Sequence, residues 1–155
     1  MAITVNLDDI IDGMESQSDE ITSYLDKKTG EVVIITDEAF TAAQHDRPVE
    51  NFPEWEHEMI ETAKRVLKTQ DYIPLPSKFD IHEYSIMERF CLSIDDDETR
   101  DIMYSSIKGR GAFRRFKENI HRHNIAEEWY RYRDEAIREI AIDWCRENNI
   151  ELIDE

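Results

Sequence analysis

The chain has 155 residues, 40% hydrophobic and 10% aromatic, enough for one globular domain with a real core. Its 36 Asp and Glu outnumber 19 Lys and Arg, leaving a net charge of −17. A field of that sign repels phosphate and anionic headgroups, so it disfavours general nucleic-acid or membrane-surface binding and favours basic partners.

No apolar run approaches 18 residues, and Met1-Ala-Ile-Thr-Val-Asn6 leads directly into Asp8 and Asp9. A cytoplasmic protein without a membrane anchor is expected, folded as a single compact domain over 1–155. Cys91 and Cys145 lie far apart, without CxxC spacing or flanking His, and are expected as reduced core residues.

Asn6 stands before Leu7-Asp8-Asp9, a side-chain cap with acids in the first turn. It opens a helix with Leu7, Ile10, Ile11 and Met14 on its apolar face, ending near Gln17. Ile21–Leu25 and Glu31–Ile35 flank a turn in which Gly30 supplies the positive φ, which predicts a β-hairpin. Val32–Ile35 is apolar on both faces, so helices must cover the hairpin, and a third short strand or a swapped edge stays open.

Asp37–Glu50 shows no firm period and reads as a connecting segment. Pro53 suits the first turn of a helix that places Trp55, Met59, Ala63, Val66 and Leu67 on one side and ends near Thr69. Tyr72-Ile-Pro-Leu-Pro76 must be extended. Asp80 with Glu83 forms a capping-box pattern ahead of Tyr84, Met87, Cys91 and Ile94. Asp95-Asp-Asp97 breaks that helix and caps another, carrying Ile102, Met103 and Ile107 and stopping at Gly109. After a further helix from Ala112, Asn124 and Glu127 cap a last long one, with Trp129, Ala136, Ile137, Ile140 and Trp144 inward. The fold class is α+β and mostly helical, with five or six helices packed against one antiparallel β-hairpin.

Lys108-Gly-Arg-Gly-Ala-Phe-Arg-Arg-Phe-Lys117 departs from the acidic background, with a net of +5 between Lys108 and His123. Gly109 and Gly111 permit positive φ just before a helix, where free N–H groups and the helix dipole favour an anion. Lys108, Gly109, Arg110, Gly111, Arg114 and Arg115 are therefore the candidate ligand-binding residues. The competing reading makes Gly109 a helix terminator, Gly111 a close-packing residue and the arginines internal partners of acids. Phe113, Phe116 and Ile120 form the buried face of this helix. Phe113, Phe116, Trp129 and Trp144 are expected to be largely buried, with Phe113→Ala costing about 3–5 kcal/mol.

Glu54-x-x-His57 and Glu118-x-x-His121 match a di-metal helix spacing, but twenty glutamates make two such coincidences ordinary, and no metal site is assigned. Ser77, Lys78 and His82 lack a nucleophile-elbow pattern. Trp129-Tyr-Arg-Tyr-Arg133 interleaves aromatic and basic residues; helical spacing puts Trp129 in the core and Tyr130 and Tyr132 at or near the surface.

The segments Thr29-Gly30-Glu31-Val32, Tyr72–Pro76, Gly109–Lys117 and Trp129-Tyr-x-Tyr-Arg-Asp-Glu135 resemble a bacterial protein family catalogued as uncharacterised, across nearly the whole chain. The resemblance implies a single compact bacterial domain and carries no activity, substrate or catalytic residue with it. The residues themselves point to a small cytoplasmic binding or regulatory domain that engages a partner protein or a small phosphate-bearing anion through the basic Gly-rich junction, without a cofactor. The alternative is an enzyme acting on a phosphorylated small molecule or nucleotide, in which the same arginines hold phosphate and an acid or His121 transfers a proton.

Overall fold

A computed structural model describes residues 4–153, whose elements make a mostly helical α+β fold. In chain order they are β1 (Thr4–Val5), α1 (Leu7–Ser16), β2 (Ile21–Asp26), β3 (Val32–Thr36), α2 (Asp37–Gln44), a 3-10 turn (Val49–Asn51) and α3 (Glu54–Lys68). There follow β4 (Tyr72–Pro74), the single turn α4 (Lys78–Ile81), α5 (Glu83–Leu92), α6 (Asp97–Ser106), α7 (Ala112–Arg122), α8 (Ala126–Glu147) and β5 (Glu151–Leu152). Seven of the helices have eight residues or more, where the sequence pattern suggests five or six. The chain divides into two compact units, one formed by the segment up to Ile81 together with Ile140 onward, the other by His82–Glu139.

The first unit is built on an antiparallel sheet in the order β3-β2-β4. Ile21 pairs with Thr36 and Leu25 with Val32, and Gly30 at φ 80° closes the hairpin by donating its N–H to the Asp26 carbonyl at 2.8 Å. The extended Tyr72–Pro74 segment becomes the third strand, with Leu25 opposite Ile73. A separate parallel pair sets Thr4 beside Glu151 and Val5 beside Leu152; two residues per strand are too few to leave an alternation in the sequence.

Helices cover both faces of this sheet. Ile35 packs with Ala39, Ala42 and Ala43 of α2 and Ile60 and Ala63 of α3 in one buried cluster. On the opposite face α1 approaches so closely that a Cβ at Gly13 would stand 2.6 Å from Leu75 Cδ1 and 2.8 Å from Val32 Cγ1. Ser23, fully buried on that face, donates its hydroxyl to the Gly13 carbonyl at 2.8 Å. Gln17, the C-cap of α1, accepts from the Ser23 N–H at 3.1 Å and donates to the Pro76 carbonyl at 2.6 Å. Its amide thus bridges β2 to the residue at which the third strand's ladder runs out, since Pro76 has no N–H of its own.

The second unit has an aromatic core. Trp129 lies edge-on to Phe116 at 4.7 Å and to Phe90 at 5.4 Å between ring centroids, and Tyr132 joins Phe90 at 5.4 Å. Such tilted contacts set the positive ring edge against the negative face of its neighbour. Met103, Ile107 and Ile120 are buried in the same unit.

Several local expectations are corrected. Asp37–Gln44 is a helix, capped by the Thr36 hydroxyl accepting from the Ala39 N–H; its fully buried residues are all alanine, with Phe40 only partly buried against the same cluster, which leaves a weak hydrophobic period to read. Trp55 and Leu67 do not join the inward face of α3 and are 78% and 43% exposed. The partner helix α2 has eight residues, about 12 Å of axis, too short to cover both ends of α3. Asp80 caps its own short turn, accepting from the Ser77 N–H at 2.8 Å and hydroxyl at 3.0 Å, and α5 begins only after His82 at φ 53°. Asn124 does not cap α8: at φ 56° it closes α7, letting the Ile125 N–H reach back to the Ile120 carbonyl at 2.9 Å.

Replacing Gly13 with Ala is expected to destabilise the protein by about 1–3 kcal/mol, because the methyl group meets two side chains already in close contact. Urea unfolding measures this, and a variant as stable as the parent would mean that α1 stands farther from the sheet.

Candidate functional site

The basic stretch lies where α6 ends and α7 begins. Gly109 and Gly111 both take positive φ, 79° and 77°. They reverse the chain within the few residues between Ser106 and Ala112, leaving the last carbonyls of α6 without helical partners.

Arg115, one turn into α7, closes that end. Its guanidinium donates from Nε to the Ser106 carbonyl at 2.7 Å, from one Nη to the Lys108 carbonyl at 2.7 Å, and from the other to the Arg110 carbonyl. The intervening Ile107 carbonyl accepts from the Tyr84 hydroxyl at 2.9 Å. A planar fork with five N–H donors can satisfy diverging carbonyls at once, and its charge complements the negative end of the α6 dipole. Gly111 is required twice over, since a Cβ there would also stand 2.9 Å from Arg115 Nη1. At Gly109 a Cβ would meet nothing within 4 Å, so only its φ asks for glycine.

The six candidate residues therefore separate. Arg115 faces backbone oxygens inside the turn. The Lys108 ammonium stands 3.8 Å from the Tyr104 ring centroid and 4.0 Å from Glu88 Oε2. Contact with Tyr104, ahead of the Glu88 carboxylate, holds its pKa above the ordinary lysine value. Arg110 and Arg114 are exposed and make no ion pair or side-chain hydrogen bond among the described residues. Phe113, expected in the core, is 54% exposed and touches Tyr84 edge-on at 6.3 Å. With half its surface wet, the expected cost of Phe113→Ala falls to about 1 kcal/mol.

Some of the other constellations are taken up by local structure. His57 Nε2 donates to the Phe52 carbonyl at 2.8 Å. Trp129 is buried, Tyr130 is exposed, and Arg133 Nε meets Glu83 Oε1 at 2.6 Å. Trp144, expected inward, is half-buried. Among the described residues no group of three or more His, Cys, Asp or Glu gathers to hold a metal, and no helix is long and apolar enough to cross a membrane. Cys91 and Cys145 are free and buried, and desolvation pushes both thiols up to about 11.

These features define a mostly helical α+β protein with a three-stranded antiparallel sheet and an arginine-closed helix junction. The model of the Uncharacterised protein family (UPF0158) matches residues 1–155, and the chain belongs to that family. It is 25% identical over 150 residues to the Pseudomonas aeruginosa protein "UPF0158 protein PA5073", a match that spans 96% of this chain and 86% of that one. No solved structure matches the chain.

Arg115→Gln is expected to lower stability by about 1–3 kcal/mol, because it removes charge-assisted bonds from carbonyls that have no other donor among the described residues. Arg115→Lys should not restore it, since one ammonium cannot span three carbonyls. Arg114→Gln should stay within about 0.5 kcal/mol of the parent. Chemical denaturation of the three variants separates these outcomes, and an inert Arg115 would mean that water satisfies the turn equally well.

The thiols carry a pH dependence. Their folded pKa of about 11 lies above the unfolded value, so their contribution is fully present below the unfolded pKa and is lost as pH rises through about 11. Stability is expected to fall between about pH 9 and 11, and to fall less steeply in the Cys91→Ala/Cys145→Ala variant.

Proposed function

We propose that the chain is a cytoplasmic, non-enzymatic binding domain whose α6–α7 junction contacts an acidic surface of a partner protein. The observation that carries this reading is that Arg110 and Arg114 stand exposed and, among the described residues, unpaired while Phe113, in the same stretch, is 54% exposed, in a chain of net charge −17. With carboxylates so plentiful, internal pairing would be the default for any arginine. Arginine and aromatic side chains are also the groups that dominate interface energies when a partner excludes water from them.

A small anion is a weaker fit. Four cations would have to converge on a phosphate, whereas Arg115 is occupied by carbonyls and Lys108 lies over Tyr104. Two arginines and a ring suit a broader acidic and apolar surface.

The test is affinity purification with in-cell crosslinking, comparing the parent with Arg110→Glu/Arg114→Glu and with Phe113→Ala. A partner retained by the parent, lost by both variants and crosslinked through an acidic segment supports the reading. Retention by the charge-reversed variant overturns it. Thermal stabilisation by a nucleotide or sugar phosphate, with product formed, would favour the phosphate-handling enzyme instead.

A further inference from the structure

β3 is an edge strand, and its outer side is open. In the ladder with β2 the hydrogen-bonded pairs are Thr22 with Ile35 and Tyr24 with Val33, in phase with the Asp26 N–H on the Glu31 carbonyl and the Asp37 N–H on the Glu20 carbonyl. The backbone groups of Val32 and Ile34 therefore point away from the sheet. Among the described residues nothing bonds to their N–H or C=O groups. The next outward N–H, that of Thr36, is closed by Met59 Sδ at 3.5 Å, so the free edge spans the N-terminal half of the strand.

A cleft of about 400 Å³ runs alongside this edge, between α1 and the hairpin. Asp9, Asp12 and Ser16 line it from α1, and Glu31, Val32 and Ile34 from the strand side. Ile34 is 41% exposed. None of the three carboxylates makes an ion pair among the described residues. Unpaired backbone groups, an apolar floor and an uncompensated acidic rim thus occur together.

We infer that the outer edge of β3 accepts an extended, basic segment of another protein as an added strand. Its main chain would bond to Val32 and Ile34, its Lys or Arg side chains would lay their stems over Ile34 and reach Asp9, Asp12 and Glu31 with their charges, and its alternate, apolar side chains would fall on the opposite face beside Val33. A second copy of this chain is a poor occupant. Edge-to-edge pairing about a two-fold axis would bring both α1 helices to the same side and set six carboxylates around one cleft with no cation among them. This surface belongs to the first unit and the α6–α7 junction to the second, and the inference does not depend on the function proposed for the junction.

The probe is a seven-residue peptide alternating Lys and Val, with a second peptide of the same sequence whose alternate backbone amides are N-methylated. By NMR the unmodified peptide is expected to bind and to slow hydrogen exchange of the Ile34 amide at least tenfold. The N-methylated peptide keeps every charge and should bind at least tenfold more weakly. Asp9→Lys/Asp12→Lys should weaken binding by a similar factor. Ile34→Pro should do the same, since it removes one outward N–H and leaves the β2 ladder intact. Absence of binding to the parent protein, or equal binding of the two peptides, overturns the inference. Because the two peptides are compared on the parent chain, this outcome does not rely on any variant folding.

Discussion

The α6–α7 turn depends on Arg115. Two left-handed glycines fold the chain back so tightly that four backbone positions, Ser106, Ile107, Lys108 and Arg110, present carbonyls to the inside of the turn, and three of them converge on one guanidinium. A buried carbonyl without a donor costs about 1–3 kcal/mol; the Ser106 carbonyl is part-buried while those of Lys108 and Arg110 lie at the exposed rim, so the fork of N–H groups at fixed angles matters most at Ser106. The positions of the other cations follow from it. Once Arg115 turns inward and Lys108 settles over Tyr104, Arg110 and Arg114 are the arginines that the junction shows to solvent.

A comparable constraint governs the first unit, with an amide in place of a guanidinium. Gln17 ends α1 and bridges Ser23 to Pro76, while Gly13 lets α1 lie against Val32 and Leu75. Both are polar or backbone devices at places where hydrophobic packing alone would leave main-chain groups stranded. Ion pairs matter less than the charged composition suggests: Arg146 with Asp143 at 3.7 Å and Lys64 with Glu61 at 3.8 Å are spaced three residues apart on helix surfaces, where such pairs contribute a few tenths of a kcal/mol.

What was legible in the sequence was legible for local reasons. The Asn6 cap, the Gly30 turn, the Asp96 cap within Asp95–Asp97 and the two positive-φ glycines each carry a conformational preference in one or two residues. The three-stranded register was half legible, since prolines force Tyr72–Pro76 to be extended without saying beside which strand it lies. Helix α2 was hidden because alanine buries well and signals weakly. The partition of the basic stretch was hidden for another reason. Arg114 and Arg115 are chemically identical neighbours about 100° apart around a helix, and only the placement of α6 decides which one finds carbonyls.

The acidic rim beside β3 has two consequences that follow from one arrangement. An exposed edge strand containing Val32, Val33, Ile34 and Ile35 is a template for uncontrolled pairing, and charges beside it are a common means of preventing that. Carboxylates prevent it selectively: they repel any strand that brings its own acids, including the same strand of another copy, while a strand bearing cations gains at the same positions what the acidic one loses. Protection against self-association and preference for a basic partner are therefore one electrostatic property of Asp9, Asp12 and Glu31. Neutralising that rim would be expected to weaken both together, because no cation among the described residues pairs with it.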